Sequence, residues 1–300
     1  MARAGIDFTL GARRLVSVPR DLATWAFTLE DVLAAALPSA PEPARDGVRV
    51  LSAPTNLLPD LAARYPGCIT GGRQDYRRHY IDMALGHDGY MARFSGKTRS
   101  TLKRKARKLA EEAPGGYHIT AHRTPAEIEV FLAAALPLSA KTYQARLLDA
   151  GLPDDPASRR AMLEAAEDDR MRAFLLHAGG AAVAYLSLPV SGRTLVYAHL
   201  GYDPAWARLS PGTVLQMEAL EQLFAESTFA WFDFTEGDGA HKALFGTHAA
   251  ACSSLVLLRP SLANRTLLGA REAFDAGVAG AKALAERSGA LGRIRARLRA

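Results

Sequence analysis

Three hundred residues, 49% hydrophobic and 23% charged, suffice for one large domain or two small ones and exclude wholesale disorder. The 37 Lys and Arg against 31 Asp and Glu give a net charge of +6, which favours an anionic partner: a phosphorylated cofactor, an acidic membrane surface or nucleic acid. The two cysteines, Cys68 and Cys252, form neither a CxxC pair nor a disulfide framework, a usage compatible with a reducing cytoplasm.

In chain order, "MARAGIDFTLGARR" has no apolar h-region, so no secretory signal is expected. "APEPARDG" reads as a Pro-rich loop, "VRVLSA" as a strand, and "LPDLAARYPG" as a short helix stopped by Pro66-Gly67. Residues 1–94 are taken as a small N-terminal subdomain. "SGKTRSTLKRKARKLAEEA" then places Leu102, Ala106 and Leu109 at i, i+4 and i+7 on one helical face. Lys97, Arg99, Lys103, Arg104, Lys105, Arg107 and Lys108 fill the rest, as a solvated face or as a dock for an anion.

"YHITAHR" reads as a strand, and "TPAEIEVFLAAAL" and "DPASRRAMLEAAEDD" as helices capped by Thr124 and Asp155, each with Pro at the first position. Residues 173–192 carry no charge, but Gly179-Gly180 and Pro189 make them two strands and a turn rather than a membrane span. A third strand, "RTLVYAHL", follows Ser191-Gly192. Next come the helix "GTVLQMEALEQLFAES", the strand "FAWFDF", a helical turn around "AHKALFG" and the strand "ACSSLVLL". The order β-α-α-β-β-β-α-β-α-β defines an α/β (α+β) domain over residues 95–260. Residues 261–300 read as a helical basic tail. Its end, "LGRIRARLRA", sets Leu291, Ile294 and Leu298 beside Arg293, Arg295, Arg297 and Arg299, as a membrane-surface helix or a frayed tail.

Two stretches carry chemistry. In "RLSPGTVLQMEALEQL" a loop opens into a helix whose N-terminus exposes unpaired N–H groups and a positive dipole end. Gly212 permits close approach, and Ser210 and Thr213 add hydroxyls; this is a phosphate cradle, or simply a helix cap. In "FAWFDFTEGDGAHKALFG" an apolar run gives way to Asp233, Glu236, Asp238, His241 and Lys242. Asp238, His241, His248 and Cys252 fit no usual zinc spacing, and no metal is expected.

The stretch "GYDPAWARLSPGTVLQMEAL" followed by "FDFTEGDGAHKALFG", with a basic helix ahead, resembles the GNAT acyltransferases of the CelD-like (cellulose biosynthesis-type) branch, neighbours of the FemABX transferases. The resemblance covers residues 90–258. It implies a mixed central sheet flanked by helices, with residues 1–94 a possible degenerate GNAT half. It also implies acyl transfer from a thioester, acyl-CoA or acyl carrier protein, to an amine or hydroxyl. The donor pyrophosphate would sit on residues 210–213, with Arg208 beside it. Arg208-Leu-Ser-Pro-Gly212-Thr departs from the common Q/R-x-x-G-x-G/A loop, so an aminoacyl-tRNA donor, as in FemABX relatives, stays open.

Such chemistry needs a base for the attacking amine and a donor for the thioester oxygen, often an N–H of a splayed or bulged strand. Period-two alternation puts Leu195, Tyr197 and His199 on one strand face and Phe229, Trp231 and Asp233 on another. If those strands are neighbours, His199 as general base and Asp233 converge on the acyl carbon. Tyr197 is the candidate acid for the leaving thiolate. Asp233, flanked by phenylalanines, needs a partner: a backbone cap or Lys242. Glu236 serves as base or holds the acceptor amine, Lys242 binds an anion or pairs with Asp233 or Glu236, and His241 is expected at the surface. The basic surfaces suggest a cytoplasmic protein at an anionic membrane, acylating a lipid-borne amine such as a sphingoid base. A nucleic-acid module and a non-catalytic scaffold for polysaccharide export are the competing classes. Against the first, the basic residues are not interleaved with aromatics.

Overall fold

The computed structural model describes residues 5–10, 13–142 and 151–287. The elements in chain order are β1 (Gly5–Leu10), β2 (Arg13–Pro19), β3 (Leu22–Ala26), α1 (Leu29–Leu33), β4 (Gly47–Pro54), α2 (Leu58–Ala63) and β5 (Ile69–Asp82). There follow α3 (Gly86–Ala92), α4 (Gly96–Glu112), β6 (Tyr117–His122), α5 (Pro125–Lys141), α6 (Pro156–Glu167), β7 (Met171–Ala178) and β8 (Ala181–Ser191). The chain continues with β9 (Thr194–Val196), β10 (His199–Tyr202), α7 (Pro211–Glu226), β11 (Trp231–Asp233), α8 (Ala240–Phe245), β12 (His248–Leu258) and α9 (Leu262–Arg287).

The described residues make two compact units, one from within 1–76 and 251–300 and one from within 77–250. The first boundary thus falls inside β5, not at 94/95, and α9 groups with the N-terminal residues. In the first unit β1 pairs antiparallel with β2, β3 parallel with β4 and β4 antiparallel with β12. Leu267 and Leu268 of α9 pack on Ile6 and Leu258. The expected seam at Leu291, Ile294 and Leu298 lies outside the described residues.

The second unit is a mixed sheet in the order β5 end, β11, β9, β8, β7, β6, with β10 on β8. Its helices start where local chemistry requires. Ser95 accepts from the Thr98 N–H at the head of α4, Thr124 and Glu127 close a reciprocal capping box on α5, and Asp155 accepts from Ala157 and Ser158 at α6. The β7–β8 turn is Gly179-Gly180, with φ of +59° and +80°, a pair of left-handed positions that favours glycine. Strand alternation then sorts the core. Phe174, Leu186, Leu188 and Leu195 join Leu215, Leu220 and Leu223 of α7 on one face. Ala173, Leu175 and Tyr185 join Ile128, Phe131 and Leu132 of α5 on the other. Burial of each large apolar side chain contributes ~1.5–3 kcal/mol.

Candidate active site

Two strands read as continuous from the sequence are broken here. "RTLVYAHL" divides into β9 and β10, and "FAWFDF" forms a ladder only at 231–233. Val190 and Ser191 of β8 face Leu195 and Thr194, while Ser187 faces His199. Leu188 and Pro189 are therefore opposed by three residues, Val196, Tyr197 and Ala198. That is a bulge, placed where Pro189 has no N–H to donate. β9 runs parallel to β11, and the Tyr197 N–H to the Asp233 carbonyl (2.9 Å) extends that pairing by one bond. Beyond it β10 stays with β8, while Phe234 bonds to the His79 carbonyl (3.0 Å). The sheet opens between β10 and the chain leaving β11.

The bulge also overturns the expected alternation. Leu195 and Tyr197 do pack on the α7 face, Tyr197 against Phe232 and Phe234. His199 is opposite Ser187 and so lies on the α5 face, where the next residue but one, Gly201, meets Tyr185. The extra residue flips the face, as a one-residue slip must. The two imidazole and phenol candidates therefore flank the opening from opposite sides. Burial lowers the pKa of His199 and raises that of Tyr197.

Asp233 shares a face with Tyr80, its register partner on β5, and with Arg78 two residues away. The Arg78 guanidinium grips both carboxylate oxygens: Nε at 3.1 and 3.2 Å, Nη2 at 2.6 Å. Asp233 is 0% and Arg78 7% exposed. Asp233 Oδ1 also accepts from the Thr235 N–H at 2.9 Å. Arg78, not Lys242, is thus the ionic partner, together with the expected backbone cap. Thr235 itself sits at φ +61°, a left-handed conformation that β-branched residues avoid.

Lys242 donates to the Glu236 carbonyl. Burial lowers its pKa, opposed by the charges of Asp233, Glu236 and Asp238 and reinforced by Arg78. The Glu236 side chain is exposed. Asp238 reaches back to β5 through the His79 Nε2 (3.2 Å) and the Arg77 N–H (3.3 Å), so the loop after β11 is tied down. Among the described residues no cluster of His, Cys, Asp and Glu could hold a metal ion.

At the head of α7, Ser210 adopts φ +55° and its carbonyl receives the N–H groups of Thr213 and Val214. Its hydroxyl does not cap the helix. Pro211 has no N–H. The room left by Gly212 is taken by Leu200 and Tyr202, since a Cβ there would lie 2.9 Å from Leu200 Cδ2; the glycine serves strand–helix packing. From α4, Lys105 Nζ reaches Thr213 Oγ1 at 3.4 Å, placing a cation beside this helix start. Arg208 pairs instead with Glu112 at the end of α4. Arg107 and Lys108 also pair with Glu111 and Glu112, so the basic run is partly compensated. Between α4 and α7 lies a largely apolar cleft of about 190 Å³, bounded by Leu102, Ala106, Val214, Met217 and Thr213. A larger cavity of about 420 Å³ opens at the start of β11, around Asp82, Arg193 and Trp231, away from the ionisable cluster.

Sequence reasoning singled out neither Arg78 nor Gln216. Gln216 is fully buried on α7, and its Oε1 lies 2.8 Å from His241 Nε2. His241 is exposed, as expected, yet one side of its ring is packed on Phe245, Phe234 and Tyr197.

No curated protein matches the sequence. By structure, the chain is similar to the C-terminal domain of a lysylphosphatidylglycerol synthetase from Agrobacterium fabrum, with TM-score 0.50, 12% identity, and 75% of this chain and 72% of that one covered. A structure of L-PGS from Bacillus licheniformis gives TM-score 0.48 at 14% identity, with 75% and 72% covered. One of FemX gives 0.49 at 12%, with 77% and 75% covered. Residues 96–243 match the family model of the acetyltransferase (GNAT) domain. The mixed sheet with flanking helices is a GNAT-type fold, and the match supports a transferase.

Proposed function

We propose that the protein transfers an acyl group from a phosphate-bearing thioester, acyl-CoA or acyl carrier protein, to an amine. The observation that carries this reading is the bulge opposite Pro189. It opens the sheet between β10 and β11. A donor carbonyl can enter there, close to the α7 N-terminus and Lys105. The donor phosphates would meet the helix dipole and the Lys105 ammonium, with Ser210 and Thr213 adding hydroxyls. The cleft beside Thr213 offers apolar surface to the rest of the donor. Tyr197 faces the leaving thiolate, and His199 contacts the acceptor from the α5 side. Glu236, exposed on its tethered loop, binds the acceptor ammonium, while Arg78 and Asp233 hold that loop's root. Lys242 supplies a cation toward the carbonyl oxygen as charge develops there.

A CelD-like lineage and a lipid-borne acceptor, such as a sphingoid base, are the finer parts of this proposal. No helix among the described residues is long and apolar enough to cross a membrane. Contact with an anionic surface would use the cations of α4 and the Arg-rich C-terminus, which lies outside the described residues. An aminoacyl-tRNA donor is the second reading. It is favoured by the position of basic α4 directly beside the α7 N-terminus, where a polyanion would track past Lys105.

Thiol release from acetyl-CoA, palmitoyl-CoA and palmitoyl carrier protein, each with and without a long-chain amino alcohol, tests the proposal. Acceptor-dependent release supports it. Silence with every thioester, together with transfer from an aminoacyl-tRNA, would replace it with the second reading.

A further inference from the structure

The acid-rich loop does not provide a buried, oriented base: Asp233 is consumed by Arg78, and Glu236 is exposed. Another side chain of the opening is oriented by a fully buried partner. As the Gln216 amide is placed, its Oε1 faces His241 Nε2 at 2.8 Å, an acceptor that assigns the imidazole proton to Nε2. The neutral imidazole then has a bare Nδ1. Nε2 is occupied by Gln216, which leaves Nδ1 as the ring nitrogen with a free lone pair. Tyr197 from the β9–β10 bulge, Phe234 beyond β11 and Phe245 on its own helix pack against the imidazole ring. The Nε2 amide of Gln216 is buried with no partner among the described residues. Such a group costs ~1–3 kcal/mol when left unpaired.

We infer that His241 is the group that takes the proton from the acceptor amine, with Gln216 as the residue that positions it. This inference rests on the amide-forming reading above. One proton passes from the acceptor ammonium to His241 Nδ1. The freed lone pair forms the C–N bond, and the tetrahedral centre collapses. The C–S electron pair leaves with the sulfur, which takes the second nitrogen proton to depart as a neutral thiol. His241 returns its proton to solvent. Burial holds this imidazole below the usual histidine range, reinforced by the charged groups that face it, Lys105 from α4 and Lys242 from its own helix. It is therefore unprotonated and ready at neutral pH.

Two measurements test this, one independent of turnover. Nitrogen-15 spectra of histidine-labelled protein should show His241 as the Nε2–H tautomer, titrating below the ordinary value of about 6.5. Gln216→Glu should raise that titration by about one unit or more. An Nδ1–H tautomer, or a titration unmoved by Gln216→Glu, overturns the inference whatever the activity. With the donor that wild type uses, His241→Ala should lower kcat by about 10²- to 10⁴-fold, the usual yield of a general base, and added imidazole should restore part of it. Gln216→Glu should shift the acid limb of the pH–rate profile upward by the same amount as the spectra, which loss of packing would not do. A His241→Ala variant as active as wild type refutes the role, whereas wild type silent on every donor refutes the amide-forming reading and leaves the spectra to decide the tautomer.

Discussion

Removing Arg78 from beneath Asp233 is the most informative perturbation of the framework. Asp233 has 0% of its surface exposed, and the guanidinium meets it from 2.6 to 3.2 Å. Arg78→Ala leaves a buried carboxylate with one backbone N–H, that of Thr235, as its remaining donor among the contacts described above. Breaking such a pair from one side costs ~3–5 kcal/mol, because the surviving charge is desolvated without compensation. For a cooperative unit of this size each kcal/mol lowers Tm by about 2–4 °C, so Tm should fall by roughly 6–20 °C. Asp233→Asn, which removes the negative charge opposite the buried guanidinium, should also destabilise. The double variant Arg78→Met with Asp233→Leu removes both charges and should lose less than either single change. Urea and thermal unfolding at pH 7 of wild type, Arg78→Met, Asp233→Leu and the double variant completes the cycle. Single losses below about 1 kcal/mol, or strictly additive ones, would refute the argument from desolvation.

Gly201→Ala should destabilise by about 1–3 kcal/mol, because the new Cβ would lie 2.4 Å from the ring of the buried Tyr185; an unchanged urea midpoint would contradict it. Thr235→Asn, which tolerates the left-handed φ of +61°, should stabilise by about 1 kcal/mol, and a loss of stability would show that the threonine side chain is needed there. His122, His177, His199 and His241 all have folded-state pKa values lowered by burial, so the unfolded chain binds more protons as pH falls past 6.5. Their contribution is fully present above the unfolded value and is lost on acidification. The urea midpoint should therefore fall between pH 7.5 and 5.5, and a rise would reverse the sign of the argument. Lys105→Glu should raise KM for a phosphate-bearing donor by about tenfold with little change in kcat; a drop in kcat alone would move Lys105 from binding to chemistry.

The helices were legible because their signals are local. Thr124-Pro125 with Glu127, and Asp155-Pro156, specify helix starts within four residues, and both appear where expected. The Gly179-Gly180 turn is similarly short-range. The site was harder to read because it depends on pairing between distant segments. Arg78 is 155 residues from Asp233, in a strand whose sequence "RQDYRRHYID" is too charged to read as a buried ladder. The split between β9 and β10 depends on a proline in the facing strand. Period-two counting therefore placed His199 with Tyr197, on the wrong side of a bulge. The one cue available was Pro189 itself, which demands an irregular partner. His241 is exposed as expected, but its hydrogen bond to Gln216 of α7 is a tertiary contact.

The measurement that bears most directly on the central claim is mass-spectrometric detection of the amide formed from an isotope-labelled acyl thioester and a primary amine. Wild type should form labelled amide in proportion to the thiol released, and His241→Ala should reduce both together. Thiol release without amide, at equal rates with and without the amine, would mark simple hydrolysis and contradict an amide-forming transferase.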